Sequence, residues 1–150
     1  MAKEPPRSAE QRKKDTLAKL EQEIDVWVAT ASADGEAFLV PLSYLWDGHT
    51  FALSTPEASP TGRNLAAAGR ARLGFGPTRD VVMIEGAVES FTVASVPDEL
   101  ADAFAAKHWD SRKESKPYGF YRVTPRTIQA WREENELRGR TIMRDGAWVV

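Results

Sequence analysis

The spacing of apolar residues changes along the chain, and each change marks an element. Pro5 and Pro6 disfavour helix at the start, so residues 1–7 are expected to form a flexible arm ahead of one domain spanning 8–150. Ser8 followed by Gln11 has the spacing of a capping box. From Ala9 to about Glu23 the chain is charged, with Leu17 and Leu20 as anchors, which predicts an exposed helix packing one narrow face. The period then drops to two. Ile24, Val26, Val28 and Thr30 alternate with Asp25, Trp27, Ala29 and Ala31, the signature of a half-buried strand. Ala33-Asp34-Gly35 and Asp47-Gly48 are tight-turn sequences that bracket a second strand over 36–46 and open a third over 50–54. Links this short join antiparallel strands, because parallel pairs need long crossovers.

Residues 55–60 read as a loop in which Ser59 is an N-cap and Pro60 the first helical residue. The helix Pro60–Ala68 is expected to stop at Gly69. Strands over 71–75 and 81–93 follow, joined through 76–80, with Gly86 marking a bulge or a close approach. A helix from Pro97 to about His108 carries Asp98 and Glu99 in its first turn, as the dipole favours. A polar loop over 109–117 leads to strands over 118–124 and 127–132, and a last hairpin turns at Asp145-Gly146. Serial hairpins of this kind predict a mainly β architecture, a meander closed into a barrel with flanking helices.

Composition narrows the chemistry. With 150 residues, 42% hydrophobic and 28% charged, the chain is an ordinary single globular domain. It has no cysteine, which removes disulfides, thiolate metal sites and cysteine nucleophiles. A formal charge of −2 gives no electrostatic reason to expect nucleic acid. No apolar run suits a secretory signal or a membrane span, so the cytoplasm is the expected location. His49 and His108 lie far apart without carboxylate partners at ligand spacing, and no metal site is expected. The chain shows neither a nucleophile context for hydrolysis nor a Gly-rich dinucleotide fingerprint after a strand.

The segment from Ser54 to Leu65 carries the chemistry. A helix beginning at Ser59 offers free amides and partial positive charge to an anion. The hydroxyls of Ser54, Thr55, Ser59 and Thr61 cluster there, Arg63 lies one turn in, and Gly62 permits close approach to the backbone. The first turn holds no acid, whereas a helix tuned only to its dipole would carry one. Plain capping, with Arg63 facing solvent or Glu57, is the competing reading.

The strand pair ASADGEAFLVPLSYLWDGHTFALST, then SPTGRNL, then VVMIEGAVE resembles the pyridoxamine 5′-phosphate oxidase-like family, which includes FMN-binding split barrels and actinobacterial deazaflavin-dependent oxidoreductases. The resemblance covers residues 20–150, and Ser59 with Arg63-Asn64-Leu65 is its most specific piece. It implies a six-stranded antiparallel split β-barrel forming a homodimer, with cofactor at the interface. The phosphate would be held by Ser54, Thr55, Ser59, Thr61, Arg63 and Asn64, and the ring would lie along Val40, Pro41, Leu42 and Ser43. Many relatives carry Lys where this chain has Thr61, so one charge is missing; Arg79 is the candidate replacement. Trp131 is a candidate cover for a ring edge, with Arg132 or Arg138 placed to meet a substrate anion. The implied activity is FMN-dependent oxidoreduction of a small molecule, with the deazaflavin coenzyme F-420 as the alternative cofactor. A flavin, deazaflavin or haem carrier without turnover, and a ligand-free interaction protein, are the rival readings.

Overall fold

A computed structural model describes residues 4–150. In chain order the elements are α1 (Ala9–Gln22), β1 (Asp25–Ala31), β2 (Ala37–Trp46), β3 (Phe51–Pro56), α2 (Pro60–Ala68), β4 (Arg70–Phe75), β5 (Val81–Phe91), α3 (Asp98–Lys107), β6 (Tyr118–Trp131), β7 (Thr141–Arg144) and β8 (Ala147–Trp148), with 3-10 turns at Ser111–Lys113 and Glu134–Glu136. The strands form one antiparallel sheet in the order β3-β2-β1-β4-β5-β6-β7-β8, and pairing of β3 with β6 closes the first six into a barrel. This is the six-stranded antiparallel split barrel that the sequence implies, with a terminal hairpin added. Both tight turns form where expected: Gly35 and Gly48 sit at φ 86° and 95°, which glycine adopts at little cost.

Alternation fills the barrel. Val26 and Val28, Leu73 and Phe75, Val82 and Ile84 all point inward, around the buried rings of Tyr44 and Phe51. The Tyr44 hydroxyl donates to Leu20 O at 2.6 Å and so ties α1 to the barrel. β3 does not alternate because both its faces are covered. Phe51 and Leu53 face the barrel, while Ala52 packs in a second cluster with Leu100, Phe104 and Phe120 beneath α3. α2 seats in the barrel mouth, with Leu65 fully buried and contacts to all six barrel strands.

Several boundaries differ from expectation. β3 runs on to Pro56, so Thr55 and Pro56, expected in a loop, belong to the ladder, opposite Gly119 and Tyr118. The two extended stretches around Pro125 are one strand; Pro125 lies opposite Gly86 just past the bulge between Glu85 and Gly86. A Cβ on Gly86 would sit 2.7 Å from Thr124 O and 2.8 Å from Val123 Cγ1, which is the close approach expected there. On α1 the buried residues are Arg12, Thr16 and Leu20, with Leu17 only half-buried. Arg12 is drawn inward by Gly139 O, to which its Nη1 donates. Of the arm expected over 1–7, residues 1–3 lie outside the described residues, and the remainder is tied down. Asn135 Nδ2 donates to Glu4 O at 2.9 Å, and Arg7 grips Glu136 through three bonds: its backbone N at 2.8 Å, Nε at 3.0 Å and Nη2 at 2.7 Å.

Candidate functional site

The β3–α2 junction forms as its sequence dictates. Ser59 is in extended conformation as N-cap, its Oγ accepts from Gly62 N at 3.0 Å and donates to Pro56 O at 2.8 Å, and Pro60 occupies the first turn. Both capacities of that hydroxyl are therefore used at home. Pro60 has no N–H and the Gly62 amide is taken, so of the first three helical residues Thr61 keeps the one amide not used by the cap. The close approach that Gly62 permits is made by the chain itself. A Cβ there would collide with Pro56 O and lie 3.0 Å from the Tyr121 hydroxyl. Burial pushes the Tyr121 phenol up to about 12, and the Glu57 charge adds to the shift.

The remaining predicted residues divide into three groups. Ser54 is buried, with its Oγ 2.7 Å from Ser111 Oγ and donating to Gly119 O at 3.1 Å, so it serves the fold beneath α3. Thr55, Thr61 and Asn64 are also buried, and Asn64 Nδ2 donates to Thr30 Oγ1 at 3.2 Å, fixing α2 on β1. Arg63 is exposed. Its Nη1 donates to Ala58 O at 3.0 Å, and among the described residues it has no carboxylate partner, Glu57 included.

Val40, Pro41, Leu42 and Ser43 lie on a stretch of β2 with one open edge. Residues 37–43 pair with β1, but β3 pairs only with 44–46, so among the described residues the other edge of 37–43 has no strand beside it. Pro41 is exposed, Leu42 packs against the core, and Ser43 Oγ donates to Asp25 Oδ1 at 2.9 Å. Pro41 also belongs to an apolar outer face with Trp27, Leu39 and Met83, of which Trp27 is 50%, Leu39 63% and Met83 46% exposed.

Arg79 and Trp131 come together, though away from α2. They line a groove of about 350 Å³ with Thr78, Arg132, Glu133 and Leu137, where Arg79 pairs with Glu133 at 2.8 Å and the Arg140 guanidinium lies 5.5 Å from the Trp131 ring centre. Tyr118, at the α2 end of β6, and Trp131 are separated by about 40 Å of extended strand. Within one chain Arg79 is thus no replacement for the charge missing at Thr61.

The sequence reading passed over a second concavity. A cleft of about 790 Å³ opens between the C-terminal half of α2 and the ends of β1 and β4, with Asn64, Ser32, Arg70, Arg72 and Glu85 as its polar lining. The signal was present: Arg70 and Arg72 stand two apart on a strand and therefore share a face. Arg63 does not line this cleft. Among the described residues no group of three or more His, Asp or Glu side chains is placed to hold a metal ion, and no helix is long and apolar enough to cross a membrane.

The sequence pattern of the family described as pyridoxamine 5′-phosphate oxidase matches residues 13–132. The chain belongs to the pyridoxamine 5′-phosphate oxidase family. No curated protein matches it in sequence. Solved structures of similar fold include a general stress protein 26-related member of the pyridoxinephosphate oxidase family from Clostridium acetobutylicum, with a TM-score of 0.66 and 16% identity over 83% of this chain and 90% of that one. A heme binding protein from Mycobacterium smegmatis has a TM-score of 0.65 and 21% identity, covering 97% of this chain and 60% of that one. An F420 reductase has a TM-score of 0.56 and 17% identity, covering 74% and 93%. The family's barrel is thus common to proteins whose ligands differ, and the ligand of this member has to be argued from its own residues.

Proposed function

We propose that this oxidase-family chain is a homodimeric oxidoreductase that holds a phosphorylated flavin-type cofactor, FMN first and the deazaflavin F-420 second, beside α2 and the open edge of β2. The observation that carries the reading is the pairing of two unsatisfied features. Among the described residues Arg63 is a guanidinium without a carboxylate at a helix start, and 37–43 of β2 present backbone N–H and C=O groups without a partner strand on one edge. Arg63 and the Thr61 amide would hold the phosphate. The β2 edge around Val40, Pro41 and Leu42 would receive the polar rim of the ring system.

One subunit leaves this site unwalled. A second copy seated on the apolar face of Trp27, Leu39, Pro41 and Met83 would close it and could bring its own Arg79 and Trp131 alongside. When bound, a flavin supplies hydride chemistry, and the protein's task is to bind, orient and exclude water. A haem carrier is the weaker reading, since His49 lies in the β2–β3 turn and the His108 Nε2 is 2.7 Å from Tyr44 O.

The test is binding of FMN and of F-420 to the full chain, followed by fluorescence. Arg63→Ala should weaken the preferred cofactor at least tenfold without lowering the melting temperature, because Arg63 is exposed. Unchanged binding would overturn the phosphate assignment. Anaerobic reduction of the bound cofactor by NADPH and reoxidation by an acceptor panel tests turnover; inertness throughout would leave a carrier.

A further inference from the structure

We propose that the cleft between α2, β1 and β4 is a second binding site, for a small organic dianion in which Arg70 and Arg72 grip a phosphomonoester or a pair of carboxylates. The site shares only Asn64 with the cofactor reading and does not depend on it.

Four observations carry the assignment. The cleft, at about 790 Å³, falls within the range of small-molecule sites and is the larger of the two concavities described. Arg70 and Arg72 alternate with the core residues Ala71 and Leu73, so both guanidiniums project from one face of β4, their Cα atoms about 7 Å apart. That spacing lets two planar forks flank one anionic group, each offering paired N–H donors. Among the described residues neither arginine has an ion pair, although Glu85 lies directly opposite Arg72 in the β4–β5 register. Among the described residues six of the eleven other arginines, Arg7, Arg12, Arg79, Arg112, Arg122 and Arg132, have found a carboxylate.

The remaining lining explains why the ligand is organic rather than a bare ion. Ala29, Ala31, Ala67 and Ala68 keep the walls low and apolar, leaving room for a body beyond the charged group. Asn64 and Thr30 are buried, bonded to each other, and set a polar corner at the deep end. Glu85 is the one carboxylate in the lining. It leaves a net positive cleft and can accept from a ligand hydroxyl or amine.

The test uses the full chain with adenosine monophosphate, succinate and neutral adenosine as probes, read by ¹H–¹⁵N spectra that include the arginine Nε–Hε signals. Adenosine monophosphate or succinate should shift Arg70, Arg72 and the amides of Ala31 and Ala67, with the responding probe distinguishing phosphate from carboxylate. Adenosine should leave the arginine signals in place. Arg70→Gln and Arg72→Gln should each weaken binding at least tenfold, while Arg63→Ala leaves it intact, which separates this site from the cofactor's. The proposal is overturned if neither anion moves those signals at millimolar concentration. It is equally overturned if the shifts survive in the double variant or spread evenly over Arg63, Arg79 and the other exposed arginines.

Discussion

At the scale of single residues, the α2 start shows how a ligand signature and a packing signature can look alike. Ser59, Gly62 and Arg63 read as a phosphate cradle, and the structure divides them. Ser59 caps the helix, Gly62 makes room for Pro56 O and Tyr121, and Arg63 alone reaches outward. The cap was legible because Ser-Pro at a helix start has a local cause. The collision behind Gly62 was not, since Tyr121 arrives from a strand almost sixty positions along the chain. Gly62→Ala should therefore destabilise the fold by about 1–3 kcal/mol through overpacking. Urea unfolding checks this; a variant as stable as the parent would mean that the glycine is kept for a ligand.

At the scale of elements, helix and strand positions followed from period and turn chemistry, while the polar locks between elements did not. Nothing local in α1 announces that Arg12 is buried against Gly139 O, or that Arg7 reaches Glu136 in the 3-10 turn before β7. These contacts join residues about 130 positions apart. The Glu136 carboxylate accepts from Arg7, from the backbone N–H of Arg7 and from that of Arg132, and these bonds, led by the Arg7 side chain, hold its pKa down at about 2 against an ordinary 4.5. A depressed carboxyl pKa stabilises the folded state above the unfolded value, and that stability is lost as pH falls from about 4.5 towards 2. Glu136→Gln should cost about 3 kcal/mol at pH 7, because the charge-assisted bonds that hold the Glu136 carboxylate ionised are lost, even though Arg7 keeps Asp15 at 3.2 Å. The gap between variant and parent in urea midpoint should narrow steadily below pH 4.5. A gap independent of pH would show that shape, not charge, fixes the turn.

At the scale of the whole molecule, the meander was readable but its closure was not. Turn residues join neighbours in sequence, whereas the β3–β6 pairing that shuts the barrel joins Phe51 to Val123 and depends on burial at both faces of β3. The outer face was equally hidden, because Trp27 alternates like any strand residue and only the register sets it beside Pro41 and Gly74, next to Met83. That face should bury itself in a dimer. Trp27→Glu combined with Leu39→Glu should turn a dimer into a folded monomer by sedimentation equilibrium, and a parent chain already monomeric at high concentration would refute the interface. β6 carries a last implication. Its upper half is bonded to β3 and its lower half to β7, along the same edge. Were the end hairpin to peel off, taking the grip on α1 with it, the barrel would stay shut but a bare ribbon of amides would face other molecules, an invitation to clumping. The clamp from Arg7 to Glu136 thus works as a guard on stickiness as much as a brace for the fold.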